Sequence, residues 1–102
     1  MSAYFLIDVK EITDEARMAE YREKVFPVVE QFGGKYRVIG GEQHVLEGEW
    51  KATFPVLIEF ETVEQARRWY DAPEYRDLRA LRLSATKGTN VLIDGAVNSL
   101  EL

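Results

Sequence analysis

The sequence predicts one α+β domain over residues 1–95, with four short strands and two helical regions in the order β-α-β-β-α-β. Three observations carry that prediction. Apolar residues alternate at period 2 in four separate stretches, the pattern of half-buried strands. After the first and third stretches the apolar spacing changes to three and four, the pattern of an amphipathic helix. Capping residues, glycines or prolines stand where the period changes.

The first strand runs from Tyr4 to Lys10, with Phe5, Ile7 and Val9 on one face and Tyr4, Leu6, Asp8 and Lys10 on the other. Both faces carry apolar residues, so both are expected to be partly covered. Thr13 and Asp14 suit a helix start, where Asp14 and Glu15 favour the positive end. Met18, Tyr21, Val25, Val29 and Phe32 then form one apolar helical face. Pro27 inside this pattern lacks a backbone donor and predicts a kink. Gly33-Gly34 stops the helix. Lys35 to Ile39 and Gln43 to Glu47 alternate again, and Gly40-Gly41 between them predicts a bulge or bend in one long second strand. Gly48 to Thr53 leads to a third strand, Phe54 to Phe60, with Pro55 near its start.

Thr62-Val63-Glu64-Gln65 fits a capping box, with Thr62 as N-cap and Gln65 reaching back. The helix that follows is expected to bury Val63, Ala66 and Tyr70. Pro73 suits the first position of a second short helix. Its stripe is Tyr75, Leu78, Leu81 and Ala85, and Lys87-Gly88 is expected to end it. Asn90 to Ile93 is the fourth strand, Gly95 closes it, and 96–102 form a C-terminal tail. This order places both helical regions on one face of a four-stranded antiparallel sheet, the ferredoxin-like sandwich. The other sheet face would remain apolar and open, and an isologous homodimer is the simplest way to cover it.

Composition narrows the function classes. An apolar fraction of 46% in 102 residues suffices for one core. A net charge of −5 repels phosphate backbones, so no nucleic-acid partner is expected. No apolar run approaches the roughly 18 residues that span a bilayer, so no membrane partner is expected. The start lacks a basic region and enters a strand pattern at once, which predicts no signal peptide and a cytoplasmic location. The chain has no cysteine and one histidine, which excludes thiolate chemistry and multi-histidine metal sites within a chain. No metal and no organic cofactor are expected.

The pieces Tyr21, Gly33-Gly34-Lys35-Tyr36, Gly40-Gly41, Leu46-Glu47-Gly48 with Trp50, Glu59-Phe60, Ala66, Trp69-Tyr70, Pro73-Glu74-Tyr75 and Arg82 occur in an order and spacing that resembles the DUF1330 family of the dimeric α+β barrel superfamily. The resemblance runs from Tyr4 to about Gly95. It implies a dimeric α+β barrel and assigns no reaction. Distant relatives in that superfamily include cofactor-free monooxygenases, isomerases, dehalogenases and haem-handling enzymes, a likeness of fold alone. Two positions depart from the family pattern. Ile39 stands where arginine is frequent, and Ala52 where proline is.

Candidate site residues are the polar groups on apolar elements. Arg82 lies seven residues after Tyr75 and four after Leu78, beside the helical stripe, where it either clamps a carboxylate or snorkels toward a surface acid. His44 is the one side chain with an ordinary pKa near neutrality and is a candidate general base, or a surface or dimer contact. Asp8 and Glu59 interrupt apolar strands and are candidate proton carriers, or members of structural ion pairs. In antiparallel pairing of the first and third strands they are expected to sit toward opposite ends, so no carboxylate dyad is expected. Tyr4, Tyr36 and Trp69 are amphipathic aromatics that suit ligand contact, core or interface. Three functions remain open: a cofactor-independent enzyme acting on a small anionic or aromatic metabolite, a non-catalytic small-molecule binding module, and a purely structural dimer.

Overall fold

Seven elements follow along the chain in the computed structural model, which describes residues 2–96: β1 (Ala3–Ile12), α1 (Glu15–Gln31), β2 (Lys35–Ile39), β3 (Pro55–Phe60), α2 (Val63–Tyr70), α3 (Pro73–Ala85) and β4 (Thr86–Asp94). The predicted C-terminal tail lies, beyond Ala96, outside the described residues. The strands form one antiparallel sheet in the order β2-β3-β1-β4, so the α+β, ferredoxin-like prediction describes the molecule.

Local chemistry explains the helix boundaries. The Asp14 carboxylate accepts the Arg17 N–H at 3.1 Å and starts α1, which continues through Pro27 to Gln31. Thr62 Oγ1 accepts the Gln65 N–H at 3.1 Å and starts α2. Only this half of the predicted capping box forms. The Gln65 amide instead donates to the Phe32 carbonyl at 2.6 Å, which ties the end of α1 to the start of α2. Pro73 occupies the first turn of α3, where no donor is needed.

The register sorts the sheet into two faces. Ala3, Phe5 and Ile7 share one with their cross-strand partners Phe60, Ile58 and Val56, and the helices cover it. Trp69 of α2 packs there against Tyr75, with ring centroids 4.2 Å apart, and against Phe5 at 5.2 Å. Truncating so large a buried ring costs about 3–5 kcal/mol, so this aromatic group anchors the core. The opposite face carries a row that crosses all four strands, Val38–Leu57–Leu6–Val91. The molecule is 16 Å across its thinnest axis, one sheet and one helical layer, so this second face has no cover among the described residues.

Four further details differ from the sequence expectations. The second strand ends at Ile39, and Gln43 to Glu47 is not strand. Gly40 turns with φ of 58° and donates its N–H to the Pro55 carbonyl at 2.7 Å, closing the β2–β3 pairing. Residues 41–51 then run as an exposed loop, because alternation without a partner strand makes no ladder. The bulges fall elsewhere, between Tyr36 and Val38 and between Val9 and Glu11. Lys87-Gly88 does not end α3; it lies in β4, which begins at Thr86. Gly88 sits beside the β1 bulge, where a Cβ would run into the Asp8 backbone carbonyl. Finally, α2 buries Ala66 and Trp69 most deeply, with Val63 and Tyr70 only half-buried.

Candidate functional site

A cleft of about 530 Å³ opens between the covered sheet face and α1, and Arg82 reaches it from α3. Its walls are mainly apolar: Ile7, Val56 and Ile58 from the sheet, and Met18, Val25 and Phe26 from α1. Tyr36, Ile39 and Phe54 form the side toward β2. This size and composition suit a small organic ligand. Ile39, the departure from the family's frequent arginine, therefore makes part of this wall apolar.

Arg82 is the one buried cation here, 8% exposed, because it shares the inward face of α3 with Tyr75, Leu78 and Ala85. It makes no ion pair among the described residues. Its Nε–H donates to Tyr75 Oη at 3.4 Å, and Tyr75 Oη lies 2.8 Å from Tyr21 Oη of α1. Burial opposes the guanidinium charge, yet Tyr75 and Tyr21 around it shift the balance upward, so Arg82 stays protonated. Burial, reinforced by Tyr75, pushes the Tyr21 and Tyr36 hydroxyls well above the ordinary phenol range. Both tyrosines are thus neutral donors at any physiological pH. The site offers positive charge, hydroxyl donors and apolar surface, the chemistry that receives an organic anion.

The structure separates the other candidates. Arg82 and Tyr36 line the cleft together. Trp69 belongs to the core instead: it is fully buried, and its Nε1 has no hydrogen-bond partner among the described residues. Tyr4, Asp8 and Glu59 lie on the opposite sheet face. Glu59 accepts from Ser2 Oγ at 2.7 Å, Arg37 Nε at 2.8 Å and Tyr4 Oη at 3.4 Å. These hydrogen bonds, Ser2 first and Arg37 next, hold its carboxyl below the usual range. Asp8 accepts the Thr53 and Phe54 N–H groups on one oxygen and Lys10 Nζ on the other, each at 2.8 Å. Burial opposes its charge, but Lys10 and the two N–H groups together keep its pKa below the ordinary value. Asp8 and Glu59 are four residues apart in register, opposite Pro55 and Tyr4, as strand pairing predicts. His44 lies in the exposed loop, away from the cleft.

Sequence reading did not single out the Tyr21–Tyr75 hydroxyl pair as part of the site. The available signal was two tyrosines on apolar stripes, where a buried hydroxyl requires a partner that phenylalanine would not. Among the described residues no group of acidic or histidine side chains is arranged to hold a metal, and no helix is long and apolar enough to cross a membrane.

Comparison with known proteins agrees with this architecture. RPA0582, a protein of unknown function from Rhodopseudomonas palustris, superposes with a TM-score of 0.73 at 18% identity, over 95% of this chain and 84% of that one. A dimeric ferredoxin-like protein of unknown function from Jannaschia sp. CCS1 gives 0.69 at 10% identity, over 93% and 100% of the two chains. SnoaB, a cofactor-independent oxygenase from Streptomyces nogalater, gives 0.58 at 11% identity, over 96% and 94%. At these identities the likeness is one of fold. No curated protein matches the sequence. The model of the domain of unknown function DUF1330 matches residues 2–96, nearly the whole chain. The chain therefore belongs to the DUF1330 family.

Proposed function

We propose that this protein is a homodimer whose subunits each bind a small organic anion with an apolar or aromatic body, held by Arg82 in the cleft beside α1. The observation that carries the reading is a buried guanidinium with no carboxylate partner among the described residues, facing a largely apolar cleft. A buried cation without a paired anion is costly, and a ligand carboxylate would relieve that cost. Tyr36 supplies an aromatic wall against the ligand body. The dimer is supported by the apolar row Val38–Leu57–Leu6–Val91, which no described residue covers, and by the fold likeness to a dimeric protein.

Binding is the better supported part of the reading. The cleft interior offers donors and apolar surface, whereas its carboxylates, Glu11 and Glu15, are exposed. Cofactor-independent turnover of the bound anion is the extension that the fold likeness to SnoaB supports, and it is tested once a ligand is known.

A thermal-shift screen against small carboxylates, hydroxyaromatics and nucleotides tests the site. A ligand present at 100 times its dissociation constant stabilises by about 2.7 kcal/mol. The expected result is a shift with carboxylates that disappears in Arg82→Met, a variant that keeps an unbranched apolar stem and removes the charged guanidinium. Absence of any carboxylate shift, or an equal shift in the folded variant, overturns the reading.

A further inference from the structure

Burial picks one direction for the hydrogen bonds behind the cleft, although either hydroxyl of the Tyr21–Tyr75 pair is able to donate. Arg82 has only protons to give, and its Nε–H gives one to Tyr75 Oη. Tyr75 is 1% exposed, and its own proton has one acceptor among the described residues, Tyr21 Oη at 2.8 Å. Buried hydroxyl protons find acceptors, so Tyr75 donates to Tyr21. Tyr21 then accepts in that pair, and its own proton is left over. Tyr21 is 8% exposed and lines the cleft, and its hydroxyl bonds no other described residue.

We propose that Tyr21 is the second anion donor of this site, and that the cleft takes a monocarboxylate with an apolar body. One carboxylate oxygen accepts from the Arg82 guanidinium and the other from the Tyr21 hydroxyl. The inference rests on the anion-site reading above and adds a residue and a ligand class to it. Two consecutive hydrogen bonds of 3.4 and 2.8 Å separate Arg82 Nε from Tyr21 Oη, a span one carboxylate bridges with a hydrogen bond on each oxygen. Both groups are donors, so the head they receive must accept twice. An alcohol oxygen can accept twice but carries no charge to match the guanidinium, and an ammonium head accepts nothing. The rest of the ligand meets the buried Met18 and Val25 and the more open Phe26, Ile39 and Phe54, an apolar surface that suits an apolar body, while the cations Lys10 and Arg22 that also line the cleft are exposed and already paired with Asp8 and Glu15. Tyr75 is a positioning residue: it passes the polarisation of the guanidinium to Tyr21 without touching the ligand.

Calorimetric titration with 2-naphthoate and octanoate, and with the neutral 2-naphthalenemethanol, tests this. The wild-type protein is expected to bind at least one acid and to prefer naphthoate to the alcohol. Tyr21→Phe should weaken acid binding about tenfold or more, the usual weight of a hydrogen bond to a charged group, and should leave alcohol binding nearly unchanged. Tyr75→Phe should lower the acid-to-alcohol preference by less, since Tyr21 keeps its proton for the ligand. Circular dichroism checks that each variant is folded. Wild-type acid binding that vanishes in Arg82→Met but is untouched in Tyr21→Phe overturns the second donor and leaves the anion site standing. Equal weakening of acid and alcohol in Tyr21→Phe reduces that residue to packing and overturns the proposal. Wild-type protein that binds neither acid, or the alcohol as tightly as naphthoate, overturns the anion site and the proposal with it.

Discussion

Asp8 interrupts an apolar strand, and two backbone N–H groups account for it. Its carboxylate receives Thr53 and Phe54 where the long loop rejoins β3, with Lys10 on its second oxygen. Asp8→Ala leaves both N–H groups without that acceptor and should lower stability by about 2 kcal/mol in urea denaturation. The carboxyl pKa is depressed in the folded protein. Its contribution is therefore complete above the unfolded value of about 3.9 and is lost as the pH falls through the lower folded value. The difference between wild type and Asp8→Ala should narrow on acidification below about pH 4 and stay constant above it. A constant difference down to pH 2 would contradict the assignment. At this scale the sequence spoke unevenly. Arg82 was legible because its spacing from Tyr75 and Leu78 keeps it close to the buried face of its helix. Asp8 and Glu59 were legible as polar interruptions, but both faces of β1 are apolar, so alternation did not say which one the helices cover. Tyr21 and Tyr75 are 54 residues apart, and no local rule pairs their hydroxyls.

Among the elements, caps were read from short-range chemistry and hold in the structure. Asp14 and Thr62 each satisfy an N–H three residues on. Interactions decided by a distant partner were not readable in this way. The Gln65 amide prefers the end of α1 to its own cap, and the alternating segment Gln43 to Glu47 has no strand beside it. Gly88 gives the sharpest case. A glycine after a helical stripe reads as a helix stop, whereas here the backbone of β1 approaches too closely for any side chain. The obstruction is main chain in a sheet and cannot rotate away. Gly88→Ala should therefore lose roughly 2 kcal/mol or more in thermal or urea unfolding, well beyond the cost of an ordinary surface change. Stability within about 0.5 kcal/mol of wild type would show that β4 sits farther from β1 than described.

For the whole molecule, a two-layer sandwich with one apolar sheet face uncovered by the described residues fits best as half of a larger assembly. Leu6 lies at the middle of the apolar row, between Leu57 and Val91. Leu6→Glu would bury one unpaired carboxylate per subunit in a symmetric interface, at about 3 kcal/mol or more each. Light scattering at micromolar concentration should give the mass of two chains for wild type and of one for the variant. One chain for wild type would count against the dimer. The loop between β2 and β3 has a different consequence. Residues 41–51 are exposed throughout, with Leu46 90% exposed, while Gly40–Pro55 and Asp8–Thr53/Phe54 hydrogen bonds clamp the two ends. The path between the clamps does little to hold the sheet together, so the chain need not be continuous there. Brief trypsin treatment cutting after Lys51 should give two bands on a denaturing gel and a single particle on gel filtration. The two pieces, expressed separately, are expected to find each other and rebuild the sheet, which makes this loop the place to split the protein or to graft a peptide into it.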